Sequence, residues 1–292
     1  MEWVNTIIQG VLLGGLYAMF AAGLSLIFGV MRLVNIAHGD LIVLAAYVAL
    51  VTTEALGINP LLSLVIVVPL MAAVGYALQR AILNRTLGDD LLPPLLVTFG
   101  LSVIIQNGLL EFFTADSRKL NAGNIEIASI HLGGGLAVGT LPLIQFLLTI
   151  AVIAGLQWLF YRTALGRAFR ATSDDQSVAQ LMGLNNSHVF GLAMALSLAI
   201  VAIAGVLLAV RANFDPSIGP ARLIFGFEAV IIGGLGNIPG AVVAAIGLGL
   251  VESWIGGFFT IAWQEAAVFV IMIFVLFVRP DGLFKRGGMR VG

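Results

Sequence analysis

The sequence predicts an all-α, polytopic helical membrane protein with about 8–9 transmembrane segments, some of them broken or re-entrant, on three observations. Hydrophobic residues make up 60% of the chain and charged residues only 10%, a balance foreign to soluble globular domains. Apolar runs long enough for a hydrocarbon core of about 30 Å recur along the chain, and they are continuous rather than alternating, which favours helices over a barrel. Lys and Arg gather in alternate loops, as expected where one side of a membrane retains positive charge.

Spans are expected near 5–29, 40–56, 61–83, 92–113, 141–161, 188–210, 240–258 and 263–279. The first follows MEWVN, which has no basic stretch, exceeds the apolar region of a signal peptide and leads into more membrane, so it is read as retained. Alternation then puts Arg32, Arg80, Arg85, Arg162, Arg167, Arg170, Arg279, Lys285, Arg286 and Arg290 on one side, against Arg118, Lys119, Arg211 and Arg222 on the other. The richer side is cytoplasmic, which places the C-terminus inside and the N-terminus outside. Residues 1–292 read as one transmembrane domain, with an external loop at 113–140, a cytoplasmic loop at 162–188 and a cytoplasmic tail at 280–292. The external loop holds Asp116, Arg118, Lys119, Asn121, Asn124, Glu126 and a glycine cluster from Gly133 to Gly135. It is polar enough to be ordered in water, either as a partner contact or as a plain connection.

Parity requires a further crossing between the external residues 211–222 and the tail, and Leu223 to Leu235 must supply it. That stretch is short and runs into GLGNIPG, so a helix break at membrane depth is expected there. A second break separates the first two spans at FGVMRLVNIAHGD. NIAHGDLIVLAAYVALV and GNIPGAVVAAIGLGLVE share an Asn-Ile pair, a Gly and a small-residue helix, either as an internal repeat or by chance. Both breaks are expected toward the cytoplasm, which would make the repeat parallel. Irregular backbone is tolerated in a membrane only where protein covers it or it lines a cavity. The candidate path or gate is therefore Asn35, His38, Gly39 and Asp40 with Glu228, Gly233, Gly234, Gly236, Asn237, Pro239 and Gly240. Asp40 is read first as a helix-starting carboxylate and second as a substrate contact. Glu228 could cap, pair with an Arg or line the path, and Glu252 is expected near the external surface. Gln106 and Asn107 are expected to make interhelical hydrogen bonds, and most glycines to serve close packing.

The longest polar interruption is Tyr161 to Phe190, YRTALGRAFRATSDDQSVAQLMGLNNSHVF. Ser173 and Gln176 have capping-box spacing, Asp174 and Asp175 suit a helix N-terminus, and Gly183 is placed to end the helix. A helix of about nine residues, roughly 13 Å long, is expected. Its stripe of Val178, Leu181 and Met182 would face the body or a partner, with Gln176, Ser177 and Gln180 toward water.

Catalytic patterns are missing. There is no Cys, Lys119 and Lys285 are the only lysines, and no GxxxxGK[ST] or GxSxG sequence occurs. His38, His131 and His188 are far apart without ligand spacing. No catalytic residue, metal site or cofactor is expected on this chain.

Three stretches, GLYAMFAAGLSLIFGVMRLVNIAHGD at 15–40, TALGRAFRATSDDQSVAQLMGLN at 163–185 and GFEAVIIGGLGNIPGAVVAAIGLGLVE at 226–252, resemble the membrane subunit of bacterial branched-chain amino acid ABC importers, the LivH-type permease. The likeness runs essentially end to end; its middle stretch is shared with a wider permease superfamily that includes sugar importers. The resemblance implies a multi-pass protein of the bacterial inner membrane that moves branched-chain amino acids by alternating access. It implies docking of 163–185 onto ATP-binding cassette subunits, with Gly166, Arg167, Arg170, Ser173, Asp174, Asp175, Ala179, Leu181, Met182 and Gly183 at the coupling surface. Two such subunits would bind ATP-Mg, an external solute-binding protein would deliver cargo, and a second permease subunit, a related chain or another copy, would complete the path. Membrane lipid is the remaining partner, and no nucleic acid is implied. The alternatives are a permease for urea, short amides or aromatic acids, an ion-coupled secondary transporter, and a channel.

Overall fold

The structure is a computed structural model that describes residues 2–88, 90–133, 136–258 and 261–284. Lys285, Arg286 and Arg290 of the tail, and Gly134 and Gly135 of the external loop, lie outside the described residues. The chain order is α1 (Glu2–Met31), α2 (His38–Leu56), α3 (Pro60–Ala81), α4 (Leu92–Phe113), α5 (Asn124–Ile127), a hairpin of β1 (Ser129–Gly133) and β2 (Leu136–Gly139), α6 (Thr140–Arg162), α7 (Ala164–Asp174), α8 (Gln176–Leu181), α9 (Asn186–Arg211), α10 (Gly219–Gly233), α11 (Ile238–Phe258) and α12 (Ile261–Val278). Among the described residues, seven helices are long and apolar enough to cross a membrane. α10, at 15 residues, spans only ~22 Å and cannot cross alone.

Local chemistry sets the helix ends. Asn59 caps α3 by accepting from Leu61 N at 2.9 Å, with Pro60 at the first helical position. Asn185 caps α9 by accepting from His188 N at 3.1 Å. Gly57, at φ 61°, ends α2 in the left-handed conformation.

α1 and α9 form the centre and are buried along most of their length, whereas α3, α4 and α6 present apolar faces outward. Hydrophobic burial does not drive association in lipid, so close packing must. Gly10 and Gly14, spaced four apart, show how: a Cβ at Gly10 would lie 2.8 Å from Leu250 Cα of α11, so the two helices touch backbone to backbone. α9 packs on α3 and α2 in the same manner, with Gly205 against the backbone of α2.

One end of this bundle carries α7 and α8. At the opposite end the loop of 114–128 is tied down by a bridge between Arg118 and Phe214, by Leu120 N to Ala209 O at 2.9 Å, and by a Lys119–Glu126 ion pair at 2.7 Å. Glu126 also accepts from Ala122 N at 2.5 Å. The Lys119 ammonium holds the Glu126 carboxyl below its ordinary range.

Candidate coupling surface and translocation site

α7 folds back under the bundle because of three residues. Thr163 caps it by accepting from Gly166 N at 3.1 Å. Gly166 lets α7 lie against the backbone of Phe160, where any Cβ would clash. Phe169 is fully buried and its ring meets Phe160 at 5.6 Å. Arg170 donates to Phe160 O and lies over the Tyr161 ring at 5.4 Å, so it binds α7 to α6, while Arg167 is exposed.

The expected nine-residue helix is instead two helices, and the expected cap is displaced. Ser173 lies inside α7 and its hydroxyl donates to Gly29 O of α1 at 2.5 Å. Asp175 caps α8, accepting from Ser177 N at 2.8 Å and Val178 N at 2.9 Å; Asp174 is exposed. Three cap-competent residues stand in succession, and the tertiary bond to Gly29 removes Ser173 from the competition. Gly183, at φ 87°, ends α8 with Leu184 N bonded to Ala179 O at 3.0 Å and Gly183 N to Gln180 O at 2.9 Å.

Ala179 alone of α8 is buried; Val178, Leu181 and Met182 are 52%, 86% and 80% exposed. The stripe therefore faces away from the body. Large apolar side chains on a polar surface mark an interaction site.

The two chain breaks are not at equivalent depths, which corrects the expectation that both lie toward the end carrying α7 and α8. Arg32 adopts a left-handed conformation at φ 54°, and residues 33–37, with a turn at 36–37, carry the chain from the end of α1 back to the level of Phe20. α2 starts where the His38 ring meets Phe20 O at 3.1 Å. Phe20 precedes the end of α1 by about three turns, so α2 begins roughly 16 Å inside the bundle. The parallel-repeat reading loses its geometric basis.

This interior segment is polar and enclosed: Asn35 and His38 are 0% and Asp40 1% exposed. Asn35 Oδ1 accepts from Ala37 N at 3.1 Å, and Ile36 N donates to Thr98 Oγ1 at 3.3 Å. Asp40 lies in the first turn of α2 but makes no side-chain cap there. Its Oδ1 accepts from Gln106 Nε2 at 3.0 Å, and Gln106 also reaches Ser102 Oγ at 3.1 Å. Among the described residues, Asn35 Nδ2, His38 Nδ1 and Asp40 Oδ2 have no hydrogen-bond partner. Gly39 lies directly on Gly219, so α2 and α10 both start from this interior point. Thr98 and Ser102 are participants that the reading of single residues missed. With Gln106 they recur every fourth residue along α4, a polar stripe in an apolar helix that could have signalled them. Gln106 makes its interhelical bond as expected, but Asn107 only bonds Val103 O of its own helix, at 2.8 Å.

The second break lies at the end carrying α7. Gly233 and Gly240 face each other's backbone, and a Cβ at Gly236 would lie 2.9 Å from Gly29 Cα. Gly234 and Gly236 take φ of 100° and 76°, available at little cost only to glycine. Asn237 caps α11 through Gly240 N at 3.0 Å and donates to Phe284 O at 2.6 Å; Pro239 follows at the second helical position. Glu228 is apart from both breaks, 2% exposed, lining a small cavity with Glu265 between α10 and α12. Glu252 is not a free surface group, since it accepts from Tyr17 OH at 2.6 Å. The two sets of candidate path residues thus do not converge on one cavity.

The sequence profile of the family described as branched-chain amino acid transport system / permease component matches residues 6–276. The chain is 28% identical to the high-affinity branched-chain amino acid transport system permease protein BraD of Pseudomonas aeruginosa, over 98% of this chain and 96% of that one. It is 27% identical to the permease protein LivH of the corresponding system of Salmonella typhimurium, again over 98% and 96%. To the probable branched-chain amino acid permease LivH of Methanocaldococcus jannaschii it is 28% identical over 95% of this chain and 91% of the relative. No solved structure is a significant match. Near full-length likeness, joined to a polytopic helical fold, places this chain in the family of branched-chain amino acid transport permease components.

Proposed function

We propose that this chain is the conduit of a branched-chain amino acid ABC importer of the bacterial inner membrane, driven by alternating access through separate ATPase subunits. As a permease component it is a transport subunit and not an enzyme, the ATPase lying in separate chains. The observation that carries the mechanism is α8, a short helix presenting Val178, Leu181 and Met182 away from the bundle. A cassette subunit gripping that stripe moves α8 and, through Ser173 and Arg170, the ends of α1 and α6. The end bearing α7 and α8 is then cytoplasmic and the hairpin end faces the solute-binding protein. ATP-Mg belongs to two partner ATPase subunits, and a second permease, related or identical, completes the path. The buried polar segment from Asn35 to Asp40 lines that path or its gate, and the glycine break from Gly233 to Gly240 is the joint that lets α10 and α11 shift.

The test is Leu181→Asp combined with Met182→Asp in the reconstituted complex. Burying two charges at the interface is expected to cut ATP-driven leucine uptake at least ~100-fold, at about 1.4 kcal/mol per tenfold. The fold of this chain, read by thermal unfolding, should be unchanged because both side chains are exposed. Normal uptake would remove α8 from the coupling surface.

A further inference from the structure

A cavity of about 260 Å³ lies at the end carrying α7, between α1, α6, α7 and the turn into α11. Its polar lining comprises Ser25, Gln157, Tyr161, Arg170 and Asn237, with apolar walls from residues such as Ile238. Arg170 is the sole cation among the lining residues, and no carboxylate faces it. Ser25 is 0% exposed, and its hydroxyl has no hydrogen-bond partner among the described residues. A buried hydroxyl without a partner is costly, so an oxygen acceptor brought by a ligand is the natural complement. Arg170 uses one N–H on Phe160 O and its face on Tyr161, which leaves further guanidinium donors for that ligand. The positive end of α11 adds the same sign of field.

We propose that this cavity binds a phosphate-bearing ligand, specifically the headgroup of an anionic membrane phospholipid, seated between α7 and the turn into α11. An amino acid cargo fits poorly, because its ammonium would find no carboxylate. Trp158 and Tyr161, 64% and 68% exposed on α6 beside the cavity, are residues that favour the level of lipid headgroups. An Arg pocket on the cytoplasmic side of a helical bundle is the arrangement that selects anionic headgroups. Because the ligand would touch Arg170 and Asn237 together, it would tie α7 to the second break. The site stands whether or not the cargo assignment above is right.

The test is native mass spectrometry of the full-length chain after extraction from membranes containing phosphatidylglycerol and phosphatidylethanolamine. The wild type is expected to retain phosphatidylglycerol over phosphatidylethanolamine by roughly fivefold, the preference one Arg supplies. Arg170→Gln should bring that ratio to about one. Ser25→Leu, which fills the cavity without touching the Arg170 tie to α6, should lower it too and guards against misfolding of the first variant. Thermal protection by inorganic phosphate alone, with no lipid retained, would keep the anion site and make soluble phosphate its ligand. Equal lipid retention in the wild type and both variants, or displacement of the lipid by leucine, would overturn the proposal.

Discussion

The break before α2 and the break before α11 look alike in sequence, each an Asn-Ile pair followed by Gly and a helix of small residues, yet they differ in depth and in how many polar side chains they enclose. The first lies about three turns inside the bundle and is held mainly by side chains, Asn35, Thr98, Gln106 and His38 on the Phe20 carbonyl, with Gly39 packed on Gly219. The second lies at the bundle end, where Asn237 bonds Gly240 N and Phe284 O and the glycines pack backbone to backbone, Gly233 on Gly240 and Gly236 on Gly29. A polar break surrounded by protein can offer groups to a passing solute, and three of its polar atoms have no described partner. A glycine break offers backbone freedom instead, which suits a joint. Similar sequence therefore conceals a division between contact and movement.

Exchange of single residues sharpens that division. Asp40→Asn keeps an oxygen for Gln106, so the fold should survive while the charge is lost. ATP-driven uptake in proteoliposomes is expected to fall ~10-fold or more, the worth of one contact to a charged group at about 1.5–3 kcal/mol. Unaltered uptake would make Asp40 a packing residue and erase the contrast. Gly240→Ala should act the other way. Its new methyl meets the backbone of Gly233, with Asn237 and Phe284 each 3.1 Å away, so thermal stability in detergent should fall by ~1–3 kcal/mol. A variant as stable as the wild type would show that the glycine contact is loose and the joint lies elsewhere.

The smallest effect belongs to the far loop. Glu126 titrates below its ordinary value because Lys119 bonds its charged form. A depressed carboxylate contributes stability above its unfolded pKa of about 4.3 and loses it as pH falls through the folded value. Hydrogen exchange across 114–128, expressed relative to the intrinsic amide rate at each pH, should therefore be steady from pH 7 to about 5 and rise only below about 4. Lys119→Met should flatten that rise, and the change is small because the pair is partly exposed. No shift in the wild type would mean the loop is held by its backbone bonds alone.

Spans were legible because twenty apolar residues leave little alternative in a bilayer, and the sequence rightly marked Gly183 as the end of the exposed helix. The first break was placed at the wrong depth because nothing local fixes it. Arg32 gives no sign of a left-handed turn, and the partner of Asp40 lies 66 residues away on α4. The cap fell to Asp175 rather than Ser173 through a bond between residues 144 apart. Periodic glycines and apolar runs declare themselves in short windows, whereas a lone polar residue in a membrane is defined by a neighbour that only the fold supplies.

The most direct test reconstitutes the chain with and without the proposed cassette and permease partners and follows leucine entry into liposomes. ATP-dependent uptake is expected only from the assembled complex, and none from this chain alone under a proton or sodium gradient. Gradient-driven uptake by the isolated chain would contradict the view that its energy enters through α8.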